Sequence, residues 1–211
     1  MDGMAAFQNN ADRIVFEGRG QYTDVMSIPT PRHAPNIGTP DASEYAPYYG
    51  RYISLVGADD ILAALEEQVR GTQALLAGLS EAQGDYRYAP EKWSVKEVLG
   101  HLIDTERVFA YRALRVARND RTPLPGFEQD DYVRYGDFAT QQLTSLIEEF
   151  VCVRRSNLLL FRQFGPEAWM RRGIADQKEI SVRALAYIIA GHELHHRQVL
   201  QEKYLQMGAG F

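Results

Sequence analysis

The 211-residue chain has one cysteine, Cys152, so no disulfide can form within it. Its stability must come from a packed core, which a chain of this length can build. Cys152 falls in an apolar helical run, which predicts a buried core thiol. Nothing beside it in sequence would depress its pKa as a catalytic thiol requires. A basic stretch followed by an apolar run, the mark of a secretory signal, is missing from the N-terminus. No apolar run approaches the roughly 20 residues that cross a bilayer, so no membrane association is expected. A cytoplasmic location is the expectation. Basic excess is missing too: the net charge of −5 argues against a nucleic-acid partner, because phosphate recognition needs a basic footprint. Arg112, Arg115 and Arg118 form a short basic row, but at the end of a predicted helix, where cations complement the helix dipole. Internal repeats and low-complexity tracts are also lacking.

What is present divides at about residue 50. Residues 1–50 carry Pro29, Pro31, Pro35, Pro40 and Pro47 among Gly, Asn and Asp, a mixture that cannot sustain a helix. They are expected to form an irregular arm that packs on the domain or on a partner subunit. Arg13 to Gly18 could form a short extended piece within it, and His33 reads as a solvent-facing loop histidine. Residues 51–211 are expected to form the helical domain. Its first long helix runs from about Ala58 to Leu79, with Asp59 as cap and Ile61, Leu62, Leu65, Val69, Leu75 and Leu76 at helical spacing. The second begins at a capping box, Ser94 with Glu97, preceded by Trp93 as a hydrophobic staple on Val98, and continues to about Arg118. Residues 120–138 hold Pro123, Pro125, Gly126 and Gly136 and are too long for a tight turn, so they read as a crossover along a bundle. The third helix spans about Ala139 to Phe164, ended by Gly165-Pro166; an irregular stretch runs through Lys178. The fourth extends from about Val182 to Leu205, with Ser181 as cap. The predicted fold is all-α: a four-helix bundle with one long crossover.

Two histidines stand out on the fourth helix. His192 and His196 lie one turn apart on one face, in a seam that reads Leu185, Ile189, His192, His196, Val199. Both fall where a bundle places its core, and an imidazole is costly to bury unpaired. The second helix adds a third, since Val98, His101, Thr105 and Val108 form a similar seam. Facing side chains of a bundle are where helical proteins build metal sites. Three neutral imidazoles with open positions make a catalytic type of site for zinc or nickel. His195 is the alternative to His196, because it also neighbours His192, but it lies off the main seam. Asp104 is one turn from His101 and is a candidate to orient its ring, with a surface carboxylate as the alternative. Glu106 falls on a partly apolar stripe, facing either an arginine in the bundle or substrate.

His192-Glu193-Leu194-His195-His196 also spells H-E-x-x-H, in which zincin proteases use the Glu as general base. No H-x-x-G-x-x-H extension follows, no sheet is evident to hold a peptide, and Glu193 is rotated about 100° from the adjacent His192.

The segment Lys92-Trp93-Ser94-Val95-Lys96-Glu97-Val98-Leu99-Gly100-His101-Leu102, with Asp104 and Glu106, followed far downstream by Gly191 to His196, resembles the DinB-like (bacillithiol-transferase-like) four-helix proteins. The resemblance covers about Ala58 to Leu205. It implies an up-down-down-up bundle and a metal held by His101, His192 and His196, the trio the seams select. It further implies bound zinc or nickel, a homodimer, and a small-molecule substrate that includes a low-molecular-weight thiol. The expected function is therefore a metal-dependent thiol S-transferase or small-molecule hydrolase. The alternatives are a non-catalytic, stress-related metal- or ligand-binding bundle, in which His195 or Glu193 would close the site, and the metalloprotease.

Overall fold

The computed structural model describes residues 37–58 and 60–205. The extended piece at 13–18, His33 and Asp59 lie outside them. Eight helices and one hairpin are described: α1 (Gly50–Ile53), α2 (Ile61–Leu76), α3 (Glu81–Gly84), α4 (Val95–Ala117), α5 (Gln129–Tyr135), α6 (Leu143–Phe161), α7 (Pro166–Met170), β1 (Arg172–Ala175), β2 (Lys178–Ser181) and α8 (Val182–Val199). No helix among the described residues is long and apolar enough to cross a membrane.

The four long helices start where side chains can take their orphan N–H groups. Asp60 caps α2 by accepting from the amides of Leu62 and Ala63 at 3.0 and 3.1 Å. The Ser94 hydroxyl accepts from the Glu97 amide and the Glu97 carboxylate from the Ser94 amide, so the capping box of α4 is complete. Ser181 ends β2 and caps α8 through the Ala184 amide. α8 runs on into a π-helical turn, Leu200–Leu205.

Contacts between these helices set their directions. Arg162, the residue that ends α6, pairs with Glu66, early in α2, so these two are antiparallel. Glu81 links the start of α4, through Lys96, to the start of α6, through the Leu143 amide, so these two are parallel. His101, early in α4, meets His196, late in α8: antiparallel again. α4 and α2 each pack against both α6 and α8, and the remaining pairs face each other across the diagonal. The result is an up-down-down-up four-helix bundle. Two apolar clusters fill its core, with Leu65, Phe161, Trp169 and Leu185 towards one end and Leu99, Leu146, Phe150 and Leu200 towards the other.

Two expectations are corrected. The stretch before α8 is a hairpin, not irregular chain: β1 and β2 pair antiparallel about Asp176-Gln177, both at positive φ. Tight hairpin turns need that conformation, and Asp-Gln is a weaker sequence signal for it than Asn-Gly. Cys152 is exposed, because α6 buries Phe150, Val151 and Arg154 and turns position 152 outward. Arg112, the first of the basic row, is buried and donates to the Pro125 carbonyl at 2.7 Å, which ties the crossover to α4.

The crossover itself contains α5 and a 3-10 turn, Phe138–Thr140. Residues 37–58 include two 3-10 turns and α1, which packs on α8. A buried ion pair between Glu44 and Arg183 fastens this segment. Gly191 lets α1 approach α8: a Cβ there would collide with the Tyr52 carbonyl.

Candidate metal centre

The seams of α4 and α8 bring His101, His192 and His196 together, as their spacing predicts. His101 and His192 are buried and His196 half-buried. His192 Nε2 lies 3.0 Å from His101 Nε2 and 3.1 Å from His196 Nε2. Burial drives the His101 pKa down to about 4. Burial, and then the neighbouring rings, push His192 and His196 well below the usual range. All three are therefore neutral at pH 7, with a lone pair on one nitrogen of each ring.

Three ring nitrogens facing one another need a cation or shared protons between them. A tetrahedral ion about 2.0–2.1 Å from each nitrogen would separate them by about 3.3 Å, close to what is observed. The Thr105 hydroxyl sits 3.4 Å from His101 Nδ1, on the far side of the ring, where an acceptor would leave Nε2 free as a ligand atom. The donor set fits a borderline divalent transition metal.

Asp104, the candidate orienting residue, lies 3.6 Å from Arg107. His195 stacks edge-on against Tyr52, ring centroids 5.5 Å apart, and stays outside the trio. Glu193 is buried, accepts from the Thr72 hydroxyl at 2.6 Å and pairs with Arg154 at 2.6 Å. It is thus committed to the bundle core and cannot serve as the base of an H-E-x-x-H protease. Glu106 faces the same arginine, with two contacts of 2.7 and 2.8 Å. Neither carboxylate nor His195 closes the site.

Beside the histidines opens a cleft of about 280 Å³. His101, His192, Thr105 and Phe109 form its floor, with Tyr48, Tyr49 and Tyr52 on one side and Phe127 to Asp130 on the other. Tyr52 packs edge-on against His192, centroids 5.2 Å apart, and burial, then Tyr48, raise its pKa to about 12, so it stays protonated. These tyrosines escaped the sequence reading because they precede the bundle helices. Their one signal was the spacing Tyr45, Tyr48, Tyr49, Tyr52, which puts several rings on one side of a helical turn.

The family model of the DinB superfamily matches residues 56–200. No curated protein matches the chain in sequence. Among solved structures, YfiT from Bacillus subtilis is similar, with a TM-score of 0.59 and 16% identity over 80% of this chain and 93% of YfiT. YfiT is described as a probable metal-dependent hydrolase with an unusual four-helix bundle topology. At that identity the likeness speaks for the fold.

Proposed function

The chain belongs to the DinB superfamily, and from that premise we propose that it is a metal-dependent enzyme acting on small molecules, with His101, His192 and His196 as the ligands of one divalent ion, zinc or nickel. The observation that carries this reading is the convergence of three neutral imidazole nitrogens at the floor of a cleft, with no fourth protein ligand among the described residues. Such an ion would supply Lewis-acid activation, lowering the pKa of a coordinated water or thiol towards neutrality.

The chain's own residues do the rest. Thr105 fixes the His101 ring, and Tyr52 fixes that of His192. The aromatic walls exclude bulk water and orient the electrophile over the floor. With water as nucleophile the reaction is hydrolysis, in keeping with the description of YfiT. With a low-molecular-weight thiol it is S-transfer, in keeping with the resemblance of the Trp93-Ser94…His101…Glu106 segment. Both use the same three ligands.

The test is metal analysis by mass spectrometry on protein purified without a metal-affinity step, alongside His101→Ala and His192→Ala. About one ion per chain in the wild type, lost in both variants, is the expected result; hydrolysis and thiol-conjugation assays on the loaded protein then decide the nucleophile. A wild-type chain that takes up neither zinc nor nickel would overturn the reading.

A further inference from the structure

The walls of the cleft are unusual in what they omit. No aliphatic side chain lines it: each residue is aromatic, polar or a histidine. The rings form an unbroken edge-to-face series. Tyr52 meets Tyr48 (centroids 5.9 Å apart), Tyr48 meets Tyr49 (5.4 Å), Tyr49 meets Phe109 (5.9 Å) and Phe109 meets Phe127 (6.4 Å), with interplanar angles between 79° and 85°.

Two guanidinium groups contact the series. Arg51 lies 4.0 Å over the Tyr48 ring and 4.7 Å over Tyr52, and it donates to both hydroxyls. Arg112 lies 5.4 Å from the Phe109 centroid and 5.7 Å from that of Phe127, and is itself held by the Pro125 carbonyl. These contacts restrain the rings before any ligand arrives, which lessens the ordering entropy lost on binding.

Ring faces carry partial negative charge and ring edges partial positive charge, so near-perpendicular rings offer both to an incoming group. A flat ring can answer both; a saturated chain or ring answers neither and gains only from area buried. By contrast the groove between α2 and α8 is walled by Ala58, Ala63, Ala64 and Leu194 with a few polar side chains, and has no ring at all. The aromatic wall is therefore a property of the cleft that adjoins the histidines.

We propose that this cleft is a subsite for an aryl group, so that the substrate is a small molecule carrying an aromatic ring next to the bond that reacts at the metal centre. The assignment rests on the metal-centre reading and adds to it the class of substrate.

Hydroxamates separate the two claims, since the hydroxamate head chelates the ion and the tail enters the cleft. Acetohydroxamate, cyclohexanecarbohydroxamate and benzohydroxamate are titrated into zinc-loaded protein by calorimetry. Benzohydroxamate should bind about tenfold more tightly than the cyclohexane compound of similar size, the scale of one to two ring–ring contacts. In Tyr48→Leu and Phe127→Leu, which keep apolar bulk but lose the rings, that preference should fall to within about twofold, while acetohydroxamate affinity holds. Equal affinity for the two cyclic compounds in the wild type, or a preference that survives both substitutions, would overturn the aryl subsite and leave the metal centre standing. Failure of acetohydroxamate itself to bind would strike the metal-centre reading, and the subsite with it.

Discussion

Glu106 sits five residues along α4 from His101 and Glu193 one residue along α8 from His192, and Arg154 on α6 pairs with both, so a charged cluster and the histidine cluster share the same pair of helices. Their internal satisfaction is opposite. In the charged cluster, Arg154 reaches Glu106 on α4, Glu193 on α8 and the Leu65 carbonyl on α2, while Thr72 on α2 and Asn157 on α6 take up remaining carboxylate capacity. One side chain thereby joins all four helices. In the histidine cluster the nitrogens point at one another, so they share protons among themselves or take a cation that satisfies all three lone pairs at once. A buried group with every partner supplied specifies and holds a fold; a buried group whose partner must come from outside is a binding site.

The comparison is broken most directly at its charged side. Replacing Arg154 with Met leaves two carboxylates buried without their cation, and losing one partner of such a network costs about 3–5 kcal/mol. Urea titration should show that loss in the midpoint. A midpoint shift equivalent to less than about 1 kcal/mol would mean that the network is not what ties the helices. The second effect is smaller. His192→Ala in metal-free protein gives up some packing but also relieves the crowded nitrogens, so stability should change by less than about 2 kcal/mol. A loss as large as that at Arg154 would make the histidines core residues and erase the distinction.

The two clusters were also unequally legible in sequence. His101, His192 and His196 could be found because each falls on a helical seam and two lie one turn apart, which is local periodicity. The capping box at Ser94 and Glu97 was legible for the same reason. Arg154 reads as one more charge on α6, since its partners are 48 residues away on α4 and 89 away on α2. Pairings that distant leave no pattern in one sequence, and the partner of Glu106 stayed open between an arginine and substrate. The tyrosine wall was missed because Tyr48, Tyr49 and Tyr52 belong to a proline-punctuated segment, and only docking on α8 at Gly191 brings them over the site. Asp104 stayed open between orienting His101 and lying at the surface, because i, i+3 spacing permits a contact with His101 without requiring one; its charged partner is Arg107.

Acid offers the finest test of the difference, because it acts on the histidine side before the metal is present. His101 titrates near 6.5 when unfolded and is held down to about 4 in the fold by burial. Between those values the unfolded chain binds a proton that the folded chain does not, so the folded state loses ground as pH falls. The slope from this one group is about 1.4 kcal/mol per pH unit, present between roughly pH 6.5 and 4 and absent above. His192 and His196 are shifted in the same direction and act with the same sign. The midpoint of thermal unfolding of the metal-free protein should therefore drop across this window, and His101→Ala should flatten part of the drop. Metal-loaded protein should resist acid further, because the ion competes with the proton for the same nitrogens. A metal-free wild type whose stability is level from pH 7 to 5 would show that the histidines do not pay to stay neutral, and that the cluster is as well satisfied alone as the arginine network beside it.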